Sequence, residues 1–233
     1  MRKALNTSLM SAKGLIMAGG SSERMRASGT ITHKALREVA GRTLLQHNVE
    51  MLRSHGVHDI TVAVNEAEHD LLAAASRFHL LIEPKPLGTI GAARLAPPAE
   101  TLIVLYVDNL TDLDLRAFVD FHRGSGAALT VASHDEPFRI PFGQLELAGS
   151  WVVAYKEKPL LPISISSGLY VLSPRAIDAI QPGERIHAPE LINRLIANGE
   201  KVAAFRHQAW WIDINDEAAL ACAEAALGRE VAR

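Results

Sequence analysis

Cysteine is nearly absent from this chain of 233 residues: Cys222 stands alone, which excludes an intramolecular disulfide and any cysteine-based metal cluster. Charge of one sign is missing too. Lysine and arginine number 24 against 26 aspartates and glutamates, a net −2, so no general field draws this surface to nucleic acid or anionic lipid. A small basic site for a phosphate remains compatible with that balance. No apolar run reaches the roughly 18 residues that a membrane span needs. The opening stretch, MRKALNTSLMSAK over residues 1–13, has neither a long apolar core nor a small-residue cleavage site. It reads as a loose leader rather than a secretory signal, and the expected compartment is the cytoplasm. There is no internal repeat, no low-complexity tract and no Gly/Ser linker, so a single domain over residues 14–233 is expected.

What the chain does contain is alternation. Hydrophobic residues make up 48% and charged residues 21%, ordinary for a soluble globular protein. Residues 14–18 (GLIMA), 59–64 (DITVAV), 79–82 (HLLI), 101–107 (TLIVLYV) and 127–132 (AALTVA) are short β-rich apolar runs. Between them, residues 43–55 carry Leu44, Leu45, Val49 and Leu52 at helical spacing and stop at Gly56. Residues 66–78, about 89–95 and 113–123 are further helix candidates. Strands alternating with helices predict an α/β domain whose mainly parallel sheet is covered on both faces. The second half changes character. Residues 143–147 and 151–155 flank Ala148-Gly149-Ser150, a hairpin signal. Residues 164–172 read as another strand, and 189–197 and 216–227 as helices. The expectation is a first lobe at about 14–135, a hairpin-bearing second lobe at about 136–215, and a closing helix.

The first strand runs straight into Ala18-Gly19-Gly20-Ser21-Ser22-Glu23-Arg24. Ligands of open α/β sheets bind beyond the carboxyl ends of strands, where glycines let backbone N–H groups approach a phosphate. Arg24 adds a planar cationic fork for phosphoryl oxygens, and Lys34 follows in Thr32-His33-Lys34-Ala35-Leu36. Neither GxxxxGK[ST] nor GxGxxG is present, which counts against the Walker and dinucleotide readings. A tight turn with two solvated cations is the competing reading of this loop taken alone. Asp108 follows the apolar strand 101–107 at its carboxyl end, where a carboxylate can hold Mg²⁺ against a phosphate. Asp112 and Asp114 are close alternatives that equally suit the start of a helix. No pair among the 10 histidines has the helix-face spacing of a metal site, and no Ser-His-Asp or Cys-His arrangement can be read.

The order of these segments resembles the sugar-1-phosphate nucleotidyltransferases, or nucleotide-sugar pyrophosphorylases, from about residue 14 to about residue 226. That family opens on a strand, then Gly-Gly-x-Gly-Thr-Arg, then Pro-Lys. Here Gly19, Gly20, Arg24 and Lys34 match without a gap, while Ser22, Glu23 and His33 replace the glycine, threonine and proline. The segment from Glu83 through Leu87, Gly88 and Thr89 to Ala92 is similar to Glu-x-x-x-Leu-Gly-Thr-Ala-Gly-Ala, which lines base and ribose. Val107-Asp108-Asn109 stands where the family has Gly-Asp, and Glu157-Lys158-Pro159 resembles its Glu-Lys-Pro. Ser166-Ser167-Gly168-Leu169-Tyr170 is similar to Asn-x-Gly-Ile-Tyr with Ser166 in place of the asparagine. Trp211-Ile212-Asp213-Ile214-Asn215 resembles Trp-x-Asp-Ile-Gly with Asn215 in place of the glycine.

The resemblance implies a Rossmann-like fold, a mixed but mainly parallel sheet with a sugar-binding lobe. It implies Mg²⁺-dependent transfer of a nucleoside monophosphate from an NTP to a sugar 1-phosphate, with release of pyrophosphate. Ala18, Gly19, Gly20, Ser21, Ser22, Glu83, Gly88, Thr89 and Asp108 would bind the nucleotide. Arg24 would bear on the leaving pyrophosphate and Lys34 on the α-phosphate. Lys158 would hold the acceptor phosphate, with Glu157, Ser166 and Gly143 around the sugar, and Asp108 and Asp213 would hold Mg²⁺. The partners implied are the two small substrates, with no nucleic acid and no membrane; self-association is compatible with the family. Three alternatives stay open. One is a nucleotidyltransferase with a non-sugar acceptor such as phosphocholine, and another is a non-catalytic nucleotide-sugar-binding relative. The third is a glycosyltransferase using Asp112-Leu113-Asp114 as an Asp-x-Asp motif. Neither the base nor the sugar is legible.

Overall fold

A computed structural model describes residue 9 and residues 11–19, 33–68, 73 and 78–231. Gly20, Ser21, Ser22, Glu23 and Arg24 lie outside the described residues, as does most of the helix expected over 66–78; its start, Glu66–Glu68, is a 3-10 turn. The chain begins with β1 (Ala12–Met17), followed by the two-residue strands β2 (Glu38–Val39) and β3 (Arg42–Thr43). Helix α1 (Leu44–Ser54) starts where a capping box satisfies its first amides: Thr43 Oγ1 accepts from Gln46 N, and Gln46 Oε1 accepts from Thr43 N. Next come β4 (Ile60–Asn65), β5 (His79–Glu83), β6 (Thr101–Tyr106), β7 (Asn109–Thr111) and helix α2 (Leu115–Ser125). The second half holds β8 (Leu129–Arg139), β9 (Gln144–Ala148), β10 (Trp151–Lys156), β11 (Leu160–Leu172), α3 (Pro174–Asp178), α4 (Ala188–Ala197), β12 (Val202–Arg206), β13 (Trp211–Asp213) and α5 (Glu217–Val231).

Seven strands form one sheet in the order β12-β8-β11-β6-β1-β4-β5. β1, β4, β5 and β6 run parallel, whereas β11 is antiparallel to both of its neighbours. This is the mainly parallel α/β sheet that the alternation predicts, mixed as the resemblance implies. Period-two side chains feed two cores. Ile16, Val62, Ile103 and Leu105 face α1, α2 and α5, while Leu15, Ala63, Leu102 and Val104 face α3 and α4. Hence both faces are covered. β1 lies between β4 and β6, so connections leave it in both directions. The crevice at the carboxyl ends of β1 and β6 is therefore the topological switch point, where open α/β sheets bind ligands.

Three expectations need correction. The helix over about 89–95 is a 3-10 turn, Gly91–Arg94, that starts without a side-chain cap. The strands expected at 127–132 and 164–172 are longer: β8 runs on to Arg139 and β11 begins at Leu160. Beyond the main sheet these extensions pair, among the described residues, with each other, Pro137 facing Pro162. Such a two-stranded ribbon tolerates proline and charge that a central strand would not. Strand β12 and the β7–β13 pair, which fall on no expected run, complete the sheet edge and the site.

Candidate active site

A cleft of about 350 Å³ opens at the switch point. Ala18 and Gly19 reach it from the end of β1, Glu83 from the end of β5, and Tyr106 and Asp108 from β6, while Gly88, Thr89 and Lys34 complete the wall. A hollow of about 540 Å³ beside α1 is larger, but it gathers neither the strand-end glycines nor Lys34 and Asp108. Gly88 has φ +82°, and a Cβ there would come 2.4 Å from the Ile186 carbonyl oxygen. The glycine is thus required by a close backbone approach. Segment 185–188 is docked on this loop by Ile186 N donating to Leu87 O at 2.9 Å and Ala188 N donating to Thr89 Oγ1 at 3.0 Å. Thr89 therefore satisfies an amide at the start of α4, and the docking carries Arg185 and His187 into the cleft wall. Glu83 is buried and accepts from Leu87 N at 2.9 Å. Burial pushes its pKa up, Leu87 opposes the shift, and Glu68 adds to it.

The charged end of the cleft is built from three parts of the chain. Lys34 Nζ lies 2.5 Å from Asp108 Oδ2 and 2.9 Å from Asn215 Oδ1. Asn215 Nδ2 donates to Asp213 Oδ2 at 2.5 Å. β13 brings Asp213 opposite Asn109 of β7, and Ile214 N donates to Asp108 O at 2.9 Å. The two carboxylates predicted far apart in sequence therefore meet. Burial, then the neighbouring Asp108 carboxylate, pushes Asp213 above the usual carboxylate range, against the pull of Asn215 and Lys34. Asp213 Oδ1 is buried and has no hydrogen-bond partner. An unpartnered carboxylate oxygen beside a second carboxylate fits a hard divalent cation whose remaining ligands come from phosphate and water. Among the described residues no three His, Cys, Asp or Glu side chains gather as a metal site.

His33, which stands where the resembled family has proline, has a local task. Its Nδ1 accepts from Ala35 N at 3.1 Å, and its buried ring lies 3.0 Å from Glu68. That fixes the turn Lys34–Leu36 from which Lys34 projects.

The residues expected around the acceptor are arranged differently. Glu157 and Lys158 sit in the bend between β10 and β11 and do not line the cleft. Glu157 accepts from Tyr155 Oη at 2.8 Å, and Lys158 holds an uncommon φ of +43°. Gly143 also lies off the cleft; a Cβ there would meet the Tyr155 hydroxyl at 2.0 Å, so its role is to seat Tyr155. The Ser166 hydroxyl is engaged locally, 3.2 Å from Tyr170 Oη and accepting from Gly168 N at 3.3 Å. The bulge it belongs to nevertheless reaches the residue after Asp108. Asn109 Nδ2, next to Asp108, donates to Ser167 O at 3.2 Å. Asp114 caps α2, accepting from Arg116 N at 2.9 Å and Ala117 N at 3.0 Å.

Three site residues carry no signal in the sequence, Tyr106, Arg185 and His187, and the bridging Asn215 shows there only as a departure from the family's glycine. Each acquires its place from a tertiary approach rather than from a motif. Tyr106 stacks edge-on against Tyr170 at 5.9 Å, and burial, followed by Tyr170, pushes its hydroxyl pKa up.

Comparison with known proteins bears on the family and the fold. The family described as "Nucleotidyl transferase" matches residues 13–230. A mannose-1-phosphate guanyltransferase of Debaryomyces hansenii is 28% identical over 222 residues, covering 87% of this chain and 60% of the relative. Mannose-1-phosphate guanylyltransferase 1 of Arabidopsis thaliana is 28% identical over 220 residues, covering 87% and 61%. The chain thus spans about three-fifths of the length of the curated relatives it matches. The crystal structure of HddC from Yersinia pseudotuberculosis complexed with GMP-PN superposes with a TM-score of 0.70 at 23% identity, over 92% of this chain and 99% of that one.

Proposed function

The chain belongs to the nucleotidyl transferase family, and on that footing we propose that it transfers a nucleoside monophosphate from an NTP to a sugar 1-phosphate. An oxygen of the acceptor phosphate attacks the α-phosphorus in line, and the bond to pyrophosphate breaks, so no protein nucleophile is needed. Positioning and charge stabilisation then carry the catalysis. The observation that supports this reading best is the meeting of Asp108, Asp213 and Lys34 at the switch-point cleft. Asp108 and Asp213 are the residues that would hold Mg²⁺, which when bound supplies positive charge against phosphate oxygens. Lys34 delivers a cation to the same oxygens once it leaves Asp108, and Asn215 keeps it within reach. Gly19, Gly88 and Thr89 shape the nucleotide wall, and Arg24 serves the pyrophosphate. The names of the relatives make GTP and mannose 1-phosphate the first pair to try, and substrates of that kind suit the cytoplasm.

A phosphate acceptor other than a sugar is the second reading, favoured by the local engagement of Ser166 Oγ. The glycosyltransferase reading loses support, because Asp114 serves as a helix cap. The test is pyrophosphate release from a panel of five NTPs with sugar 1-phosphates and phosphocholine, in Mg²⁺. Lys34→Ala and Asp108→Asn should each lower turnover of the best pair by roughly 10²–10³ with unchanged circular dichroism. Absence of pyrophosphate release from every pair refutes the enzyme, and release with phosphocholine alone selects the second reading.

A further inference from the structure

We propose that Ser167 is a positioning residue for the Asp108–Asp213 pair, seating the strands that carry those carboxylates on the main sheet. The inference rests on the reading of the pair as the ligands of a divalent cation. Ser167 is fully buried in the β11 bulge, and its hydroxyl reaches two other segments. Oγ lies 2.8 Å from His134 Nδ1 of β8 and 2.8 Å from His207 Nε2, just after β12. A hydroxyl has one proton, so it donates to one imidazole nitrogen and accepts from the other. Three neighbouring parts of the main sheet are thereby joined at one oxygen. His207 N also donates to Ser133 O at 2.9 Å, which keeps this turn beside β8. His134 Nε2 faces the exposed Glu136 at 3.6 Å.

The carboxylates stand on a separate unit. β7 and β13 pair with each other and, among the described residues, with no strand of the main sheet. A two-stranded pair is marginal by itself, so side chains must seat it. Its register puts Asn109 opposite Asp213 and Thr111 opposite Trp211, with Leu110 opposite Ile212 between them. Alternation then gives two faces. Leu110 and Ile212 pack into the core, and apolar contact of that kind is non-directional. Asp213 shares the other face with Asn109 and Trp211, and both of these meet the Ser167 cluster. Asn109 Nδ2 donates to Ser167 O at 3.2 Å, and the Trp211 ring lies 5.0 Å from that of His134. Gly168 permits the approach, since a Cβ there would come 2.1 Å from Asn109 Nδ2.

The contacts that seat this face on the main sheet therefore converge on one residue. Without the hydroxyl, two imidazoles lose their shared partner in a buried place. His134 can then turn beneath Trp211, and the bulge carbonyl loses its fixed aim at Asn109. The carboxylates stay, but their spacing is no longer set. Ser167, His134 and His207 do not line the cleft, so they act through the strands they hold.

Two measurements on the full chain test this. Hydrogen exchange of the Ile214 amide, which donates to Asp108 O at 2.9 Å, reads the seat of the pair with no ligand present. Electron paramagnetic resonance of free Mn²⁺, titrated with each of five NTPs and no acceptor, reads the cation. Ser167→Ala should speed exchange at Ile214 about tenfold or more relative to Ile16 in β1. It should weaken Mn²⁺ binding by roughly 10–100-fold, the range for residues that orient metal ligands, while NTP affinity in EDTA is unchanged. His207→Gln, which keeps a polar nitrogen at the reach of Nε2, should match the wild type in both. His207→Leu should reproduce Ser167→Ala, and this second pair of variants decides the matter if Ser167→Ala does not fold. Wild-type exchange or wild-type Mn²⁺ affinity in Ser167→Ala overturns the proposal. So do equal losses in the two His207 variants, or a wild type that holds no Mn²⁺. A wild type that binds Mn²⁺, with the expected losses in the variants, but releases no pyrophosphate from any substrate pair refutes the transferase and leaves Ser167 in its role.

Discussion

Lys34 is held by two acceptors from the middle and the last part of the chain, and that bracket explains how one lysine can serve a site assembled from three loops. Asp108 neutralises it, Asn215 ties it to Asp213, and His33 fixes the turn beneath it. Gly88 does for the backbone what these do for the charge. Its φ of +82° and the Ile186 carbonyl 2.4 Å from any Cβ leave no room for a side chain. Gly88→Ala should therefore cost about 2–3 kcal/mol and weaken NTP binding at least tenfold, because segment 185–188 must move off the cleft. Thermal melting and calorimetric titration with the best NTP check both parts; a variant with wild-type melting and affinity refutes the close approach. At this scale the sequence shows what chemistry dictates. Lys34 and Asp108 are legible because a cation and a strand-end carboxylate suit a phosphate, and Asp213 is legible through the resemblance to Trp-x-Asp-Ile-Gly. His33 and Asn215 are legible only as departures from a pattern. Their hydrogen bonds depend on which segments fold against them, and one letter does not encode that.

Among the elements, α2 carries two tests. Its first amides rest on Asp114, and Gly126 ends it in the left-handed conformation at φ +64°. Asp114→Ala should cost about 1 kcal/mol of stability, the usual worth of a cap, and leave turnover within about twofold. A collapse of turnover with intact folding would restore the Asp-x-Asp reading. The last turn of α2 holds His122, buried against β8 with Nδ1 2.8 Å from Thr130 Oγ1. Burial, then Arg123 and Arg175, pushes its pKa down to about 4. Between the unfolded value near 6.5 and 4, the unfolded chain takes up a proton that the folded chain does not. The contribution is complete above pH 6.5 and is lost as pH falls to 4, up to about 3 kcal/mol. His122→Gln should flatten that part of the melting temperature against pH; a slope equal to the wild type's would reject the assignment. Elements with a full apolar period, such as β1, β6 and α1, are legible to within a residue or two. The β8–β11 ribbon is not. Its residues are exposed and include Pro137 and Pro162, so they offer no buried face for a pattern to mark, and their pairing comes from the partner strand.

For the whole molecule, the arm formed by β9, β10 and the ends of β8 and β11 does not line the cleft but is joined to it. β11 supplies the link. It leaves the arm at Leu160, makes its bulge between Ser166 and Tyr170 beside Asn109, and ends in the core at Leu172. Lys158, just before it, holds φ +43°, a conformation that costs a non-glycine residue about 1 kcal/mol or more. Keeping lysine there is intelligible if its charge is needed for the acceptor phosphate. Lys158→Ala should then raise the acceptor KM by roughly 10–100-fold, the worth of a charge-assisted contact, and leave NTP affinity within about twofold. Lys158→Gly should show the same kinetic loss with a melting temperature equal to or above that of the wild type, because glycine relieves the backbone. Acceptor kinetics beside calorimetry of the NTP alone separate the two ligands. If either variant loses NTP affinity while acceptor kinetics hold, Lys158 serves the nucleotide, and the division of labour between cleft and arm is wrong.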